Sequence, residues 1–466
     1  MTSIPQTEVA PRELPRVLGP GQAMAIVAGT IIGSGIFLVP REMMQATGSA
    51  ALVYLAWMMG GLLSLFGAMT YAEIGSMLPY AGGEYVYLRG AYGDRTAFLY
   101  MWTWFAVAKP ASIAASAMGM ARTLEFFPAL SPLTQTIPGT PLHGSQLFAI
   151  VVAWMITGLN WLGVKKAGDF QLVFTALKAI LILAVAGFCF TAATGSWSHF
   201  ASTVPGAMGG LHGFMVALIA TLWAYDGWND LTMVAGEVRN PRRTLPLALI
   251  GGLFLVGVLY MTTNAAIQYV LPAARIAASE RPAVAAMTLA AGSAGAGLVA
   301  AAMAVSIFVS LNGTILSGAR VPFAAARDRL FFRPFAHIHP RFHSPSTSLI
   351  TQAVLATLLL LFLNQFQQFF ELAIFSEWLF YTLTATTIFY YRKKLPDAER
   401  PYRVHGYPLL PALFILCAAG VLVYSYLDNL RGSLLGTALI LTGLPVLWIV
   451  RRMYGPARDV AETLHL

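Results

Sequence analysis

Apolar stretches of about 20 residues recur along almost the whole chain, separated by short segments that hold most of the charged and turn-forming residues. A helix needs about this length to cross a hydrocarbon layer roughly 30 Å thick, because each residue advances it by about 1.5 Å. Only 11% of the 466 residues are charged and 57% are hydrophobic, so little of the chain suits a water-soluble domain. The pattern predicts an all-α integral membrane protein with one domain.

The apolar runs predict twelve spans. They cover residues 18–45, 49–78, 94–123, 145–163, 168–193, 211–236, 245–271, 284–318, 347–364, 368–391, 408–427 and 432–452. The transmembrane domain is therefore predicted at 18–453. It divides into a first half at 18–193, a second half at 211–391 and two additional helices at 408–452. Residues 1–17 and 454–466 are predicted as tails.

The distribution of Lys and Arg predicts that both tails are cytoplasmic. On the side of the N-terminus the predicted loops and tails hold 22 of the 29 basic residues, against five on the other side and two inside spans. By the positive-inside rule, this orients the protein in a cell (inner) membrane. The net charge of +9 then lies in short loops facing anionic lipid, so we expect no nucleic-acid partner. The N-terminal segment lacks the apolar core of a signal peptide.

Neither a metal site nor an enzyme active site is expected. Cys189 and Cys417 lie in predicted spans, so they suggest no disulfide framework and no metal cluster. His337, His339 and His343 have a metal-like spacing, but their loop is basic and lacks cysteine, which favours a solvated loop. No arrangement of metal ligands or of Ser, His and Asp is apparent at membrane depth, and no cofactor is predicted.

The first span contains GTIIGSGIFLVP, residues 29–40, whose glycines disfavour a continuous helix. Counted from Pro20, Gly33 lies about 20 Å along the helix, near the middle of the hydrocarbon layer. Every backbone N–H and C=O needs a partner in hydrocarbon. An irregular backbone at this depth must therefore be buried in protein or line a polar cavity.

The sixth span contains a second interruption, LIATLWAYDGWNDLTMV at 218–234, where Asp226, Gly227, Asn229 and Asp230 cut an apolar run. These two spans open the two successive halves of the domain. Interrupted segments at matching positions are typical of inverted-repeat transporters with a binding site at the midplane. Two helices that use glycine only for close packing are the alternative. Aspartates are costly in lipid, however, unless they serve a polar cavity.

The first interruption offers an anion site beside a cation site. The free N–H groups that open its second half-helix are those of Ser34, Gly35 and Ile36. Such groups bind anions at the positive end of the helix dipole. Carbonyls that end the first half-helix, around Thr30 and Ile31, can accept hydrogen bonds from an ammonium group. Gly33 and Gly35 allow close approach and positive φ values. Together these groups suit a zwitterion.

Several motifs follow one another in the order found in a known transporter superfamily. They are GTIIGSGIF, YAEIG with AGGEYVYL (71–75, 81–88), WAYDGWNDL, EVRNPRRTLPLAL (237–249), ARDRLFF with HPRFHSPSTSL (326–332, 339–349) and ERPYRVHGYPLLP (399–411). Together they resemble the amino acid/polyamine/organocation superfamily, and within it the L-type amino acid transporter family, over about residues 17–425. The resemblance implies a LeuT-type fold, with five plus five helices in inverted halves and two additional helices.

The resemblance also implies an L-amino acid as substrate. Its carboxylate would bind the amides that open the second half-helix, and its ammonium the carbonyls that end the first. Carbonyls near Trp223 and Ala224 in the sixth span would join the ammonium site. Trp223 matches the position of an aromatic gate over the substrate, and Asn229 matches a polar residue that lines the site.

Lys178, in FQLVFTALKAILIL, has no charged neighbour within a helical turn in sequence. A lone buried ammonium must pair, line water or lose its proton. The residue resembles the fifth-span lysine that in this superfamily stands where sodium-coupled relatives bind a cation. The resemblance implies that it ties the first interruption to the eighth span around Ser310 and Thr314, so that transport needs no sodium. A lysine that snorkels to the interface is the alternative.

Two further charged groups in the spans bear on specificity. The L-type branch usually has glycine at position 226, whereas WAYDGWN looks like the cystine and dibasic amino acid branch, so Asp226 could face a cationic side chain. Equally, Asp226 could cap the second half of the sixth helix. Lys109 in the third span has Glu73 and Glu377 as candidate partners, and a structural salt bridge is favoured over contact with substrate.

The predicted function is a sodium-independent exchanger of neutral, and by the Asp226 hypothesis also cationic, amino acids. Proton symport remains open, since a desolvated lysine can carry a proton. A channel or a transporter-like sensor is the other class, although both tails are short. The animal light chains of the resembled family carry a cysteine after the third span. LEFFPALSPLTQTIPGTPLHGS, residues 124–145, has none, so no disulfide-linked heavy chain is expected.

Overall fold

A computed structural model describes residues 13–362 and 366–460, with side chains described outside 366–375 and 428. The described part is all helical apart from short connections and three isolated β-bridges. Its α-helices are α1 (Pro20–Ile31), α2 (Gly35–Thr47), α3 (Ala50–Met77), α4 (Glu84–Thr103), α5 (Lys109–Leu124), α6 (Gly144–Trp161), α7 (Val164–Phe190), α8 (Gly210–Ala224), α9 (Asp230–Met233), α10 (Pro241–Val270), α11 (Ala273–Ala278), α12 (Pro282–Gly318), α13 (Arg320–Arg327), α14 (Ser346–Phe362), α15 (Phe366–Lys394), α16 (Leu409–Asp428), α17 (Leu430–Leu441) and α18 (Gly443–Tyr454).

Seven helical units of the described residues are long and apolar enough to cross a membrane. They are α3, α6, α7, α10, α12 continued by α13, α16, and α17 continued by α18. The pair α1 and α2, bent by 41°, makes an eighth when it is counted as one span. Helices α8 and α14 are apolar but have only 15 and 17 residues. Twelve spans therefore stay a prediction.

Helix boundaries differ from the predicted ones where the backbone leaves helical geometry. The third predicted span begins ten residues earlier, at Glu84, and Gly93 interrupts it with φ 83°. A π-helical turn over 104–108 joins α4 to α5. In α12, Ala291 and Gly292 leave the helical region, so the eighth predicted span is not one regular helix.

Helices at corresponding positions of the two predicted halves pack against one another. Helix α3 packs on α10, α5 on α12, and α6 on α14. The two interrupted segments pair antiparallel, because α1 contacts α9 while α2 contacts α8. Helix α1 also packs against α7, α10 and α12. The end of α1 is therefore enclosed by helices that can supply polar side chains.

The chain before α1 is joined to the segment after α9. Backbone amides of Val17 and Leu18 both donate to the Glu237 carbonyl at 2.9 Å, and Arg239 N–H donates back to the Leu18 carbonyl at 2.7 Å. The fully buried Glu237 and Arg320 side chains form a two-bonded ion pair, 2.8 Å at its closest. These contacts close the protein at this end of α1. Parts of the predicted tails (1–12 and 461–466, with Arg12) and residues 363 and 364 of the ninth predicted span lie outside the described residues.

Candidate functional site

The carbonyls at the end of α1 are held by side chains from three other helices. The buried Lys178 of α7 donates from Nζ to the carbonyls of Gly29, at 2.6 Å, and Ile32, at 2.8 Å. Since α1 ends at Ile31, these carbonyls have no later helical amide to accept from, and the ammonium takes that place. Lys178 thus lies against the first interruption and is fully buried, which contradicts the alternative of a snorkelling lysine.

The two carbonyls between these are also bonded. Ser310 of α12 donates from Oγ to the Thr30 carbonyl at 2.9 Å, and Thr314 Oγ1 donates to the Ser310 carbonyl at 3.1 Å. The Tyr260 hydroxyl of α10 lies 3.1 Å from the Ile31 carbonyl oxygen. Each carbonyl has a second lone pair, so those of Thr30 and Ile31 can still accept from a bound ammonium.

The start of α2 presents free amides. Ser34 precedes the helix, and the first amide with a backbone partner inside it is that of Phe37, which donates to the Ser34 carbonyl at 3.0 Å. The amides of Ser34, Gly35 and Ile36 lie in the first turn, which no carbonyl of the same helix can reach. Such amides with the helix dipole behind them favour an anion.

The glycines act differently from the prediction. Neither Gly33 nor Gly35 has a positive φ, so the left-handed backbone that these glycines would allow is not used. Gly35 instead allows close approach, because a Cβ atom on it would lie 3.3 Å from both Trp223 and Ala224. The positive φ occurs at Gly227, at 99°, where a Cβ atom would come within 2.9 Å of Thr30 Cγ2.

The second interruption lies between α8, which ends at Ala224, and α9, which begins at Asp230. The Tyr260 hydroxyl that reaches α1 lies also 3.0 Å from the Ala224 carbonyl oxygen. One side chain therefore bridges both interruptions. Asn229 and not Asp226 stands at the N-cap position of α9, so the interpretation of Asp226 as a helix cap is wrong.

Both interruptions border one cavity of about 330 Å³. Its walls are formed by Thr30, Ile31, Gly33, Ser34, Gly35, Lys109, Ser112, Ala115, Ser116, Gly119, Trp223, Ala224, Asp226, Gly227, Asp230, Ile307, Ser310, Thr314, Glu377 and Tyr381. Most of the predicted site residues are thus brought together. Ile36, Asn229 and Lys178 are fully buried behind the wall. Asn229 therefore does not line the cavity as expected.

Asn229 supports the residues that do line it. Its amide nitrogen donates to Glu84 Oε1 at 3.3 Å, and its amide oxygen lies 3.1 Å from the Tyr381 hydroxyl. The same hydroxyl lies 3.0 Å from Asp226 Oδ1. Since a hydroxyl has one proton, Tyr381 can donate to only one of the two oxygens at a time.

The cavity wall carries three carboxylates and one ammonium. Lys109 Nζ lies 2.6 Å from Asp230 Oδ1, and both side chains are buried. The prediction that Lys109 pairs with Glu73 or Glu377 is therefore wrong for the direct ion pair, which is formed with Asp230. Asp226 and Glu377 complete the acidic wall. When all four groups are ionised, the wall carries a net charge of about −2, which favours a cation.

Glu73 belongs to a separate ion cluster. It pairs with Arg392 at 2.7 Å and Arg400 at 3.6 Å, and it accepts from the Val404 amide. Among the described residues, no group of three His, Cys, Asp or Glu side chains is placed to hold a metal ion. His339 Nδ1 instead accepts from the amides of Arg341 and Phe342 in its own loop.

Several site residues were missed because nothing in the sequence marks them. Tyr260 and Tyr381 are ordinary aromatic residues of apolar helices, and Ser112 and Ser116 resemble small packing residues. Their roles depend on which helices meet. Glu377 did give a signal, since a carboxylate in an apolar run is costly unless a cavity or partner receives it.

Comparison with known proteins identifies the family of this chain. The model of the amino acid permease family matches residues 18–450. The serine/threonine exchanger SteT of Bacillus subtilis is 33% identical over 436 residues, which cover 92% of this chain and 95% of that protein. The mouse b(0,+)-type amino acid transporter 1 is 31% identical, over 88% of this chain and 82% of its own. The human cystine/glutamate transporter is 30% identical, with coverage of 92% and 84%.

These matches extend over both interruptions, the acidic wall and the last helices. They include proteins described as b(0,+)-type, cystine/glutamate and large neutral amino acid transporters. The chain therefore belongs to the amino acid permease family, and within it to the L-type amino acid transporter family of the amino acid/polyamine/organocation superfamily.

Proposed function

We propose that this protein exchanges L-amino acids across a cell membrane by alternating access, without sodium. The observation that carries the proposal is the meeting of two helix interruptions at one cavity, with free amides and carbonyls a few residues apart. Relatives described as a serine/threonine exchanger and as amino acid transporters support exchange as the mode of transport. The whole of 18–453 then serves as one transporter domain, and no enzymatic step is needed.

The proposed architecture is a LeuT-type fold of twelve spans, with the first and sixth broken near the midplane. The pairwise packing of corresponding helices, α3 on α10, α5 on α12 and α6 on α14, supports two inverted halves at 18–193 and 211–391. Helices α16 to α18 supply the two additional spans. With both tails cytoplasmic, the short loops meet the inner leaflet.

Both ends of the zwitterion have a proposed place. The substrate carboxylate binds the amides of Ser34, Gly35 and Ile36, in the electropositive first turn of α2. The ammonium accepts no bonds and donates three, which the second lone pairs of the Thr30, Ile31 and Ala224 carbonyls can receive. Trp223, which borders the same cavity, lies where it can cover the substrate.

The two ends of the path through the cavity differ. Its lining residues on α5 run from Lys109 to Gly119, in the direction of Leu124. At the opposite end the Glu237 and Arg320 pair and the backbone bonds around Leu18 close the path. In the proposed orientation, the lining residues of α5 lie towards the outside and these closing contacts lie towards the cytoplasm. Exchange requires these closing contacts to separate.

Lys178 takes the place of a sodium ion in this proposal. Its ammonium contacts two carbonyls at the end of α1, as a bound cation would. The ammonium is part of the protein, so it is present at the interruption whether or not there is a sodium gradient. The site can therefore keep its shape in a protein that exchanges one amino acid for another. In this proposal the protein has no disulfide-linked heavy chain.

The acidic wall favours cationic side chains besides neutral ones. Asp226 and Glu377 line the cavity, while Asp230 is already paired with Lys109. A guanidinium or ammonium group entering here would meet uncompensated carboxylates, and charge-assisted hydrogen bonds of this kind are the strong ones. We propose that arginine or lysine is accepted through Asp226.

Counterflow in vesicles containing the purified protein tests the proposal. Vesicles loaded with unlabelled amino acid should accumulate labelled leucine and arginine, equally with sodium or choline outside and without a pH gradient. Uptake that requires sodium would contradict the role of Lys178. Net uptake driven only by a proton gradient would identify a symporter, and binding without flux would identify a sensor.

The Asp226→Asn variant tests specificity in the same vesicles. Loss of one charge-assisted bond, worth about 1.5–3 kcal/mol, should lower arginine exchange relative to leucine by about tenfold or more. Glu377→Gln is the comparison variant: it removes a carboxylate of the same wall that is not the proposed partner, so it should lower the arginine to leucine ratio less than Asp226→Asn does. An unchanged arginine to leucine ratio in Asp226→Asn would show that this side chain does not select the substrate.

A further inference from the structure

A second cavity, of about 360 Å³, lies between α3 and α10, on the outer surface of the helix bundle. It is lined by Trp57, Met58, Gly61, Leu62, Leu65, Tyr225, Leu253, Phe254, Gly257, Val258, Met261 and Thr262. The rim residues Met58, Leu62, Phe254 and Val258 are between 48% and 67% exposed. Because both helices are long and apolar enough to span a membrane, this rim faces lipid. We call this cavity the lateral groove.

The lateral groove runs along the helices within one half of the bilayer. On α3 it extends from Leu65, near the middle of the helix, to Trp57, closer to its start at Ala50. Eight residues of helix span about 12 Å, close to the roughly 15 Å of hydrocarbon in one leaflet. On α10 it extends from Leu253 to Thr262, again from the middle towards one end. A single extended hydrocarbon chain matches this shape.

One buried donor at the groove lacks a partner among the described residues. Trp57 is fully buried, and its Nε1 has no hydrogen-bond acceptor. Tyr225 also lines the groove and is 1% exposed. A Cβ atom on Gly61 or Gly257 would lie 3.1 or 3.6 Å from the Tyr225 hydroxyl, so the two glycines make room for it. Buried donors without partners are rare, and they indicate a missing acceptor.

The floor of the groove is connected to the substrate cavity. Tyr225 directly follows α8, inside the second interruption. Its ring packs against Trp57, with centroids 5.8 Å apart, and against Tyr260, at 5.1 Å. Tyr260 is the side chain whose hydroxyl bridges the ends of α1 and α8. An occupant that presses on Tyr225 therefore acts on both interruptions.

We propose that the lateral groove is a binding site for one acyl chain of a membrane phospholipid. The chain would lie along Gly61 and Gly257, with its ester end at the edge of the hydrocarbon layer, on the Trp57 side of the groove. The bound chain fills the space beside Tyr225 and restricts its ring. Its effect on exchange rests on the function proposed above, whereas the binding does not.

A photoactivatable phospholipid, with the reactive group midway along one acyl chain, tests binding in reconstituted vesicles. Cross-links should concentrate in peptides that contain residues 57–65 and 253–262, compared with the lipid-facing part of α7. Gly257→Leu fills the groove and should reduce these cross-links about tenfold, equivalent to about 1.4 kcal/mol. Gly187→Leu is the matched control, since Gly187 lies on α7 with open space around it. This variant should cross-link like the unaltered protein.

The second readout is exchange in vesicles of short-chain and long-chain phospholipid. The unaltered protein should differ in rate between the two, and Gly257→Leu should lose this difference while Gly187→Leu keeps it. Cross-links spread evenly over all lipid-facing helices would overturn the proposal. Equal labelling by a photoactivatable alkane would show that the groove takes any hydrocarbon, which would overturn its assignment to a phospholipid. Loss of exchange with retained cross-links would count against the proposed function instead.

Discussion

The two helix interruptions meet at one cavity but are held in different ways. At the first, three of the four carbonyls from Gly29 to Ile32 receive their own side-chain hydrogen bonds, two from Lys178 and one from Ser310, and the Ile31 carbonyl shares the Tyr260 hydroxyl with Ala224. At the second, Tyr260 reaches only the Ala224 carbonyl, and the helix that follows has four residues. Side chains of other helices thus hold the backbone of the first interruption. At the second they mainly hold its side chains, Tyr381 contacting Asp226 and Lys109 pairing with Asp230.

This difference between the two interruptions fits the two tasks that we propose for the site, which are to bind the substrate backbone and to distinguish its side chain. A substrate backbone is the same in every amino acid, so the groups that bind it gain from being rigid before binding. Side chains vary, and Asp226, which we propose as the group that recognises them, belongs to the second interruption. The first interruption thus suits recognition of the constant part of the substrate, and the second suits discrimination.

The largest effect on exchange is expected from removing Lys178, which holds two carbonyls of the first interruption. Lys178→Ala leaves the Gly29 and Ile32 carbonyls buried without their donor, at a cost of about 1–3 kcal/mol for each. Exchange of leucine and of arginine should both fall by about a hundredfold, because about 2.7 kcal/mol corresponds to that factor. Initial rates of counterflow in vesicles measure this.

Thr175→Ala is the control for Lys178→Ala. Thr175 lies on the same helix and donates to the Ala25 carbonyl at 3.2 Å, one turn before the interruption. This variant removes a bond to α1 without touching the carbonyls at its end. A similar loss in both variants would mean that Lys178 acts through general packing of α7 on α1. Loss for arginine alone would contradict the division of tasks.

An intermediate effect is expected at the glycine of the second interruption. Gly227 has φ 99°, and a Cβ atom there would meet Thr30, so Gly227→Ala adds both strain and a close contact. We expect a loss of about 1–3 kcal/mol in the free energy of unfolding. Thermal unfolding of the detergent-solubilised protein, followed by circular dichroism, measures the change.

Gly33→Ala provides the opposite case in the first interruption. Its φ is not positive, and no atom would lie within 4 Å of the new Cβ. The stability of this variant should therefore match that of the unaltered protein. If Gly33→Ala were the more destabilised of the two, the first interruption would depend on its own backbone and the comparison would be reversed.

The positions of both interruptions could be predicted from sequence because their signals are local. Glycines in an apolar run and carboxylates at membrane depth mark them directly. Lys178 was noticeable for the same reason, since an isolated ammonium in an apolar helix needs a partner. Local signals of this kind do not depend on knowing which helices are neighbours.

The long-range pairs could not be predicted in the same way. Lys109 pairs with Asp230, 121 residues later, whereas Glu73 and Glu377 looked equally suitable in sequence. Which carboxylate lies within 3 Å depends on the packing of α5 beside α9, and no local pattern encodes it. The positive φ likewise falls on Gly227 and not on Gly33 or Gly35, although glycine permits it at all three positions.

The smallest effect on exchange is expected at Tyr260, which contacts both interruptions. Its substitution is also the sharpest test of the difference between them. The Tyr260 hydroxyl lies near the Ile31 and Ala224 carbonyl oxygens, and its single proton serves one at a time. Tyr260→Phe keeps the ring packing and removes about 1 kcal/mol, so exchange should fall by about fivefold. The reduction should be equal for leucine and arginine, because the bond holds backbone and not substrate side chain.

Combining Tyr260→Phe with Ser310→Ala tests whether the hydrogen bonds to the carbonyls at the end of α1 act together or independently. Ser310 holds the Thr30 carbonyl, next to the Ile31 carbonyl that Tyr260 reaches. If these bonds fix one rigid unit, the two losses in exchange should not add, since neighbouring groups couple by about 0.5 kcal/mol or more. The matched pair, Tyr260→Phe with Asp226→Asn, should be closer to additive for leucine, because Asp226 bonds with Tyr381 and not with α1. Additivity in the first pair would mean that the carbonyls of the first interruption are held one by one, and that its rigidity comes from Lys178 alone.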